Sequence, residues 1–151
     1  HAVAGHHRRG RVGPVRAGGD EADVPVRVVA RGVVAADGEQ ARELAPYVEE
    51  LPEITFIGHS HLCKAFAIGE DEVNDVVAQK FPIRRGFRYL SSVGSVGQPR
   101  DYDNRACFVV CDTSERMVEY HRVEYDIEKS AQKIFDADLA LNFGKRLFLG
   151  V

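Results

Sequence analysis

The sequence predicts an α/β domain over residues 37–151. Three patterns carry that reading. A helical pattern over Glu39–Leu51 runs straight into the short apolar, β-branched stretch Ile54-Thr55-Phe56-Ile57, a helix-then-strand unit. Two further apolar runs, Cys107–Cys111 and Met117–Tyr125, flank the polar residues Asp112-Thr113-Ser114-Glu115 and read as a hairpin. A second helix signal follows, with Asp126 as N-cap and Ile127, Ala131 and Ile134 on one face.

At 151 residues and 16.7 kDa the chain is long enough for about one domain with its own core. The net charge of −3 gives no electrostatic case for nucleic acid or an anionic membrane, and there is no basic patch. No apolar run approaches the ~20 residues of a membrane helix. No signal peptide is visible, although the chain begins with His1. Cys63, Cys107 and Cys111 are odd in number and lack zinc-ribbon spacing, so a reducing cytoplasm is the simple expectation.

Residues 1–36 read as an irregular arm, with a weak strand at Val24–Val29. Residues 1–43 contain no aromatic residue and no Leu, Ile, Lys, Ser, Thr, Asn, Met or Cys. Such a stretch cannot easily build a core. Every residue type in it has codons that can begin with G or C, the signature expected where a GC-rich gene is read one nucleotide out of phase. Part of residues 8–36 therefore reads as out-of-frame translation, which the nucleotide sequence decides.

From Gly38 onward the pattern is ordinary. Leu44, Val48 and Leu51 share a helical face, Pro46 kinks or divides the helix, and Pro52 ends it. Ile54–Ile57 reads as a buried strand that Gly58 terminates. Lys64–Ile68 reads as a strand, Gly69–Glu72 as a polar turn, and Val76-Val77-Ala78 as an edge strand. Phe87–Leu90 leads into a turn punctuated by Ser, Gly and Pro over Ser91–Asp101. Leu139–Phe143 is a short helix, and Leu147-Phe148-Leu149 is an apolar tail that docks. There is no internal repeat and no second domain.

The chemistry concentrates at Gly58-His59-Ser60-His61. In extended backbone, i and i+2 side chains point the same way, so His59 and His61 would aim both imidazoles at one point past the strand end. Two neutral imidazoles are half a site for a borderline divalent ion. His-x-His alone is equally an exposed loop with two incidental histidines. Gly58-His59-Ser60-His61, then Val93-Gly94-Ser95-Val96-Gly97-Gln98-Pro99-Arg100-Asp101, then Arg105-Ala106 opening a strand, together resemble the C-terminal half of a calcineurin-like metallophosphoesterase, of the small bacterial phosphodiesterase type. The resemblance runs from Asp37 to Val151.

That resemblance implies a β-sandwich of mixed sheets flanked by helices. It implies two divalent ions (Mn, Zn, Fe, Ni or Mg) about 3.5–4 Å apart and an activated hydroxide attacking a phosphate ester or nucleotide. His61 would ligate the first ion and His59 the second, with Gly58 letting the backbone turn. His7 in Gly5-His6-His7-Arg8 matches the family's catalytic His, although His6 and Arg8 replace the family's Asn and Asp. The family's Asp-x-His motif, its Gly-Asp-x-x-Asp motif and a further metal-binding His are missing; Gly18-Gly19-Asp20-Glu21-Ala22-Asp23 resembles the second but in the wrong order. Gly94, Ser95 and Arg100 either line the substrate cleft or shape a tight turn, with Arg100 salt-bridged. His121 reads as a surface or packing residue, and Asp101, Asp103 and Asp112 as turn formers. Two imidazoles cannot hold a dinuclear site. The expectation is therefore a weakly active or inactive phosphoesterase portion, and the alternative is a non-catalytic self-associating module.

Overall fold

A computed structural model describes residues 26–29, 38–43 and 45–151. It contains two packed sheets with helices outside them, the α/β sandwich expected. One sheet is five-stranded, in the order β1-β2-β6-β3-β4, and the other is three-stranded, β5-β8-β7. The strands are β1 (Val26–Val29), β2 (Ile54–Ile57), β3 (Cys63–Ile68), β4 (Val73–Asp75), β5 (Lys80–Pro82), β6 (Arg88–Val93), β7 (Ala106–Asp112) and β8 (Met117–Val123). Helices α1 (Gly38–Glu43), α2 (Ile127–Asp136) and α3 (Leu141–Leu149) complete the fold with a 3-10 helix over Ala45–Glu50. No helix of the described residues is long and apolar enough to cross a membrane.

Strand β2 is buried along its whole length because it lies inside the larger sheet, parallel to both β1 and β6. Its period-2 alternation feeds two cores. Ile54 and Phe56 join Ala65, Phe81, Val118 and Tyr120 between the sheets. Ile57 joins Phe66, Ile68, Leu90 and the α1 residue Ala41 on the opposite face. Most of the expected arm lies outside the described residues, but Val26–Val29 does form a strand, in register with β2 from Val26↔Ile54 to Val29↔Ile57.

Pro46 divides the expected helix into α1 and the 3-10 segment, and Leu51 packs against the cluster under α1. Leu44 and the side chain of Val48 lie outside the described residues. The β7–β8 hairpin matches expectation, with Asp112 accepting from Ser114 Oγ and Glu115 N–H in its turn. Asp126 caps α2, accepting from Lys129 N–H at 2.8 Å.

Four expectations change. Ser91 and Ser92 belong to strand β6, not to a turn, and both are fully buried. Burial is tolerated because each hydroxyl is bonded: Ser91 to the Tyr120 hydroxyl at 2.7 Å, Ser92 to the Leu62 carbonyl at 2.7 Å. The edge strand is Val73–Asp75 rather than Val76–Ala78; one further bond, Val76 N–H to the Ala65 carbonyl, ends the pairing, and Val77 is 95 % exposed. Lys80–Pro82, where no strand was expected, pairs with β8, with Pro82 at the strand end. The C-terminal helix and tail are a single helix, α3, stopped by Gly150 at φ 67°. A Cβ at Gly150 would come within 2.9 Å of the Asp103 backbone, and the Gly150 carbonyl accepts from Tyr102 N–H.

Candidate metal-ligand site

Two ion pairs tie the sandwich together at opposite ends. At one end Arg116, beside the β7–β8 turn, forks onto both Glu53 carboxylate oxygens at 3.0 and 3.2 Å, just ahead of β2. At the other end Arg122 of β8 pairs with Asp101, whose Oδ2 also accepts from the Cys63 N–H at 3.1 Å. The second junction fixes the start of β3 against the 94–101 loop, where both motifs meet.

The chain leaves β2 through Gly58 and reverses over His59–Leu62 to enter β3. His59 has φ 90° and His61 φ 62°, both in the left-handed region. The expectation of extended backbone there is wrong: the two histidines form a tight reversal, a conformation that histidine tolerates better than most side chains but that still costs about 1–3 kcal/mol each. The role expected for Gly58 also changes. A Cβ at Gly58 would meet nothing within 4 Å, and the positive φ values belong to the histidines instead. The reversal is held by hydroxyls. Ser92 gives its hydrogen to the Leu62 carbonyl, so Ser60 donates to Ser92 across 2.8 Å.

His59 is exposed and His61 is half-buried. His61 Nδ1 lies 2.8 Å from the Gln98 carbonyl, and the His61 carbonyl accepts from Arg100 N–H at 3.3 Å. A carbonyl only accepts, so Nδ1 carries the hydrogen and the Nε2 lone pair of neutral His61 is available. Metal-bound histidines are characteristically oriented in this way, through the ring nitrogen that does not bind the ion.

Among the second group of residues, Gly94 is structural. It has φ 76°, and a Cβ there would sit 2.6 Å from both Cβ and Sγ of Cys107. Ser95 is internal to the loop: its Oγ accepts from Gln98 N–H at 2.9 Å and its carbonyl from Cys107 N–H at 2.8 Å. Arg100 is exposed and donates to the Gln98 side chain at 2.8 Å, not to a carboxylate. The salt bridge expected of Arg100 belongs instead to Asp101, read from sequence as a turn former. Asp101 was missed because its partners, Arg122 and Cys63, are remote in sequence; its place beside the Gly-Gln-Pro turn was the only local signal. Asp103 is the turn former expected, and bonds from Arg105 hold its carboxyl down at about 2.

Cys63 and Cys107 both pack against the Gly94 position behind this loop. A hydrogen bond from Cys107 holds the Cys63 thiol below its ordinary range, and the same contact, with burial, pushes Cys107 up. His121 stacks on Phe108 at 5.0 Å, a packing role on the outer face of the small sheet. His7 lies outside the described residues.

Among the described residues no three His, Cys, Asp or Glu side chains converge on one point. The donor chemistry of His61 fits a divalent ion, but the described set is short of the three protein ligands that a catalytic zinc usually takes. The described residues alone therefore do not make a complete site.

The two packed sheets with flanking helices form an α/β fold that matches a metallophosphoesterase structure, and part of the chain is similar to it in sequence. The crystal structure of a metallophosphoesterase from Sphaerobacter thermophilus superposes with a TM-score of 0.57 at 32 % identity, over 66 % of this chain and 42 % of that one. An uncharacterized protein of Methanocaldococcus jannaschii is 38 % identical over 99 residues, 65 % of this chain and 40 % of that protein. A hypothetical protein of Pyrococcus horikoshii shares the fold, with a TM-score of 0.53 at 17 % identity over 76 % of this chain and 38 % of that one. No family model matches. The chain spans about two fifths of the length of each of these relatives.

Proposed function

We propose that these residues carry the paired-histidine portion of a metal-dependent phosphoesterase, with His61 and His59 as ligands to divalent ions such as Mn²⁺ or Zn²⁺. The substrate class is a phosphomonoester or phosphodiester, nucleotides included. The observation that carries the reading is the bond from His61 Nδ1 to the Gln98 carbonyl, which presents Nε2 as a ligand and ties the two motifs together. Bound ions would supply Lewis acidity and an activated water to a phosphoryl group. The chain's own contribution is to orient the imidazoles from a rigid, hydroxyl-pinned reversal. Because the sequence lacks the Asp-x-His and Gly-Asp-x-x-Asp motifs that would complete the ligand set, the expectation for these 151 residues on their own is little or no hydrolysis. The test is hydrolysis of bis-p-nitrophenyl phosphate with Mn²⁺ by the purified chain. A rate well above that of His59→Ala overturns the inactivity; Mn²⁺ or Zn²⁺ binding unchanged by His59→Ala and His61→Ala overturns the ligand assignment.

A second reading, a non-catalytic self-associating module, rests on β7. It is an edge strand of the smaller sheet, and Phe108 and Val110 on it are 42 % and 47 % exposed. An apolar edge favours pairing with another chain. Concentration-dependent sedimentation without metal uptake favours this reading, and a monomer that takes up metal excludes it.

A further inference from the structure

Cys63 and Cys107 belong to different sheets, β3 in the larger and β7 in the smaller, yet they share one point in space. The position of a Cβ on Gly94 is 2.6 Å from the Cys107 sulfur and 3.7 Å from the Cys63 Cβ. With no side chain at residue 94, both cysteines pack against that position. They differ in access. Cys107 is 1 % exposed, whereas Cys63 lines an open cavity of about 430 Å³ between the sheets. Lys64, Asp75 and Arg122 belong to the same lining, with Arg122 already paired to Asp101. An accessible sulfur backed by a buried partner is the arrangement of an attacking and a resolving thiol. The third cysteine, Cys111, lies opposite Val118 farther along β7 and does not line this cavity.

We propose that Cys63 and Cys107 form a thiol–disulfide exchange site that closes to an intersheet disulfide on reaction with a small peptide disulfide. The Cys63 sulfur attacks one sulfur of the reagent, giving a mixed disulfide and releasing one thiolate, which takes up the proton lost by Cys63. The Cys107 sulfur then attacks Cys63, displacing the second thiolate, which receives the Cys107 proton. Two protein thiols are oxidised and one small disulfide is reduced to two thiols. The closed bond links β3 to β7 directly behind the loop carrying Gly94 and Gln98, and two residues after His61. The inference stands on packing and does not depend on the phosphoesterase reading.

The experiment incubates the folded chain with oxidised glutathione, alkylates it, and maps the product by mass. The expected result is a protein lighter by two hydrogens, with the Cys63 and Cys107 peptides cross-linked and Cys111 alkylated. In Cys107→Ser the glutathione adduct should persist on Cys63, and in Cys63→Ala neither remaining thiol should react quickly. A stable adduct on Cys63 in the unsubstituted chain, a cross-link through Cys111, or no reaction at all overturns the proposal. The unsubstituted chain decides the matter even if a variant fails to fold.

Discussion

His61 donates its Nδ1 hydrogen to the Gln98 carbonyl across 2.8 Å. This bond joins two motifs that are 37 residues apart, and it selects the tautomer that leaves Nε2 free. It also explains how a loop with two left-handed histidines stays in place. Arg100 N–H bonds the His61 carbonyl, and Gly94 N–H bonds the Leu62 carbonyl, so the reversal is fastened to the 94–101 loop at three points.

The close approach of Gly94 to Cys107 predicts that Gly94→Ala is costly. The substitution places a methyl group 2.6 Å from the Cys107 side chain and imposes φ 76° on alanine. Overpacking and backbone strain together should lower the unfolding free energy by about 3 kcal/mol. Urea denaturation checks this; a loss below about 1 kcal/mol would mean the loop relaxes freely.

Asp101→Ala and Arg100→Ala should separate cleanly. Asp101 faces Arg122 with both side chains largely buried, and it also accepts from Cys63 N–H. Its loss should destabilise by about 2 kcal/mol, in the range for hydrogen bonds to charged groups. Arg100 is exposed, and its loss should cost under about 0.5 kcal/mol. Thermal unfolding of the two variants is the measurement.

Tyr120 is the polar centre of the core, its hydroxyl contacting Ser91 Oγ and the carbonyls of Lys64 and Ser92. Tyr120→Phe should cost about 1–3 kcal/mol, because these buried groups lose a partner. Burial pushes the Tyr120 hydroxyl up from its ordinary value. In the unfolded chain it ionises near pH 10. Its contribution to stability is therefore full below about pH 10 and is lost as pH rises through and beyond that value. The fall of unfolding free energy with rising pH above about 10 should be shallower in Tyr120→Phe, as urea denaturation at a series of alkaline pH values would show.

Asp103 gives the opposite dependence. Bonds from Arg105 depress its carboxyl to about 2. Its contribution is full above the ordinary carboxylate range near pH 4 and is lost as pH falls from there toward about 2. Side-chain carbon NMR should place its midpoint near 2, and Arg105→Ala should return it toward about 4.

Local signals were enough wherever structure is local. The β7–β8 hairpin, the Asp126 cap and the Ile54–Ile57 strand each depend on neighbours in sequence, and each lies where its residues indicate. The histidine loop was located correctly, but its backbone was not, because the left-handed φ values of His59 and His61 come from tertiary bonds to Ser92 and the 94–101 loop. Ser91-Ser92 resembled turn chemistry because the hydroxyl partners that license their burial, Tyr120 and Leu62, are remote in sequence. Asp101 resembled a turn former for the same reason. The C-terminal helix ran longer than its pattern because Gly150, the stop signal, lies beyond Leu149.

The most direct test of the central claim is a ¹⁵N NMR titration of the histidine side chains with Zn²⁺. His61 should begin as the Nδ1–H tautomer, and the Nε2 resonance of His61 should shift together with a ring nitrogen of His59 as metal is added, leaving His121 unmoved. An Nε2–H tautomer at His61, or a metal response confined to His121, would contradict the account.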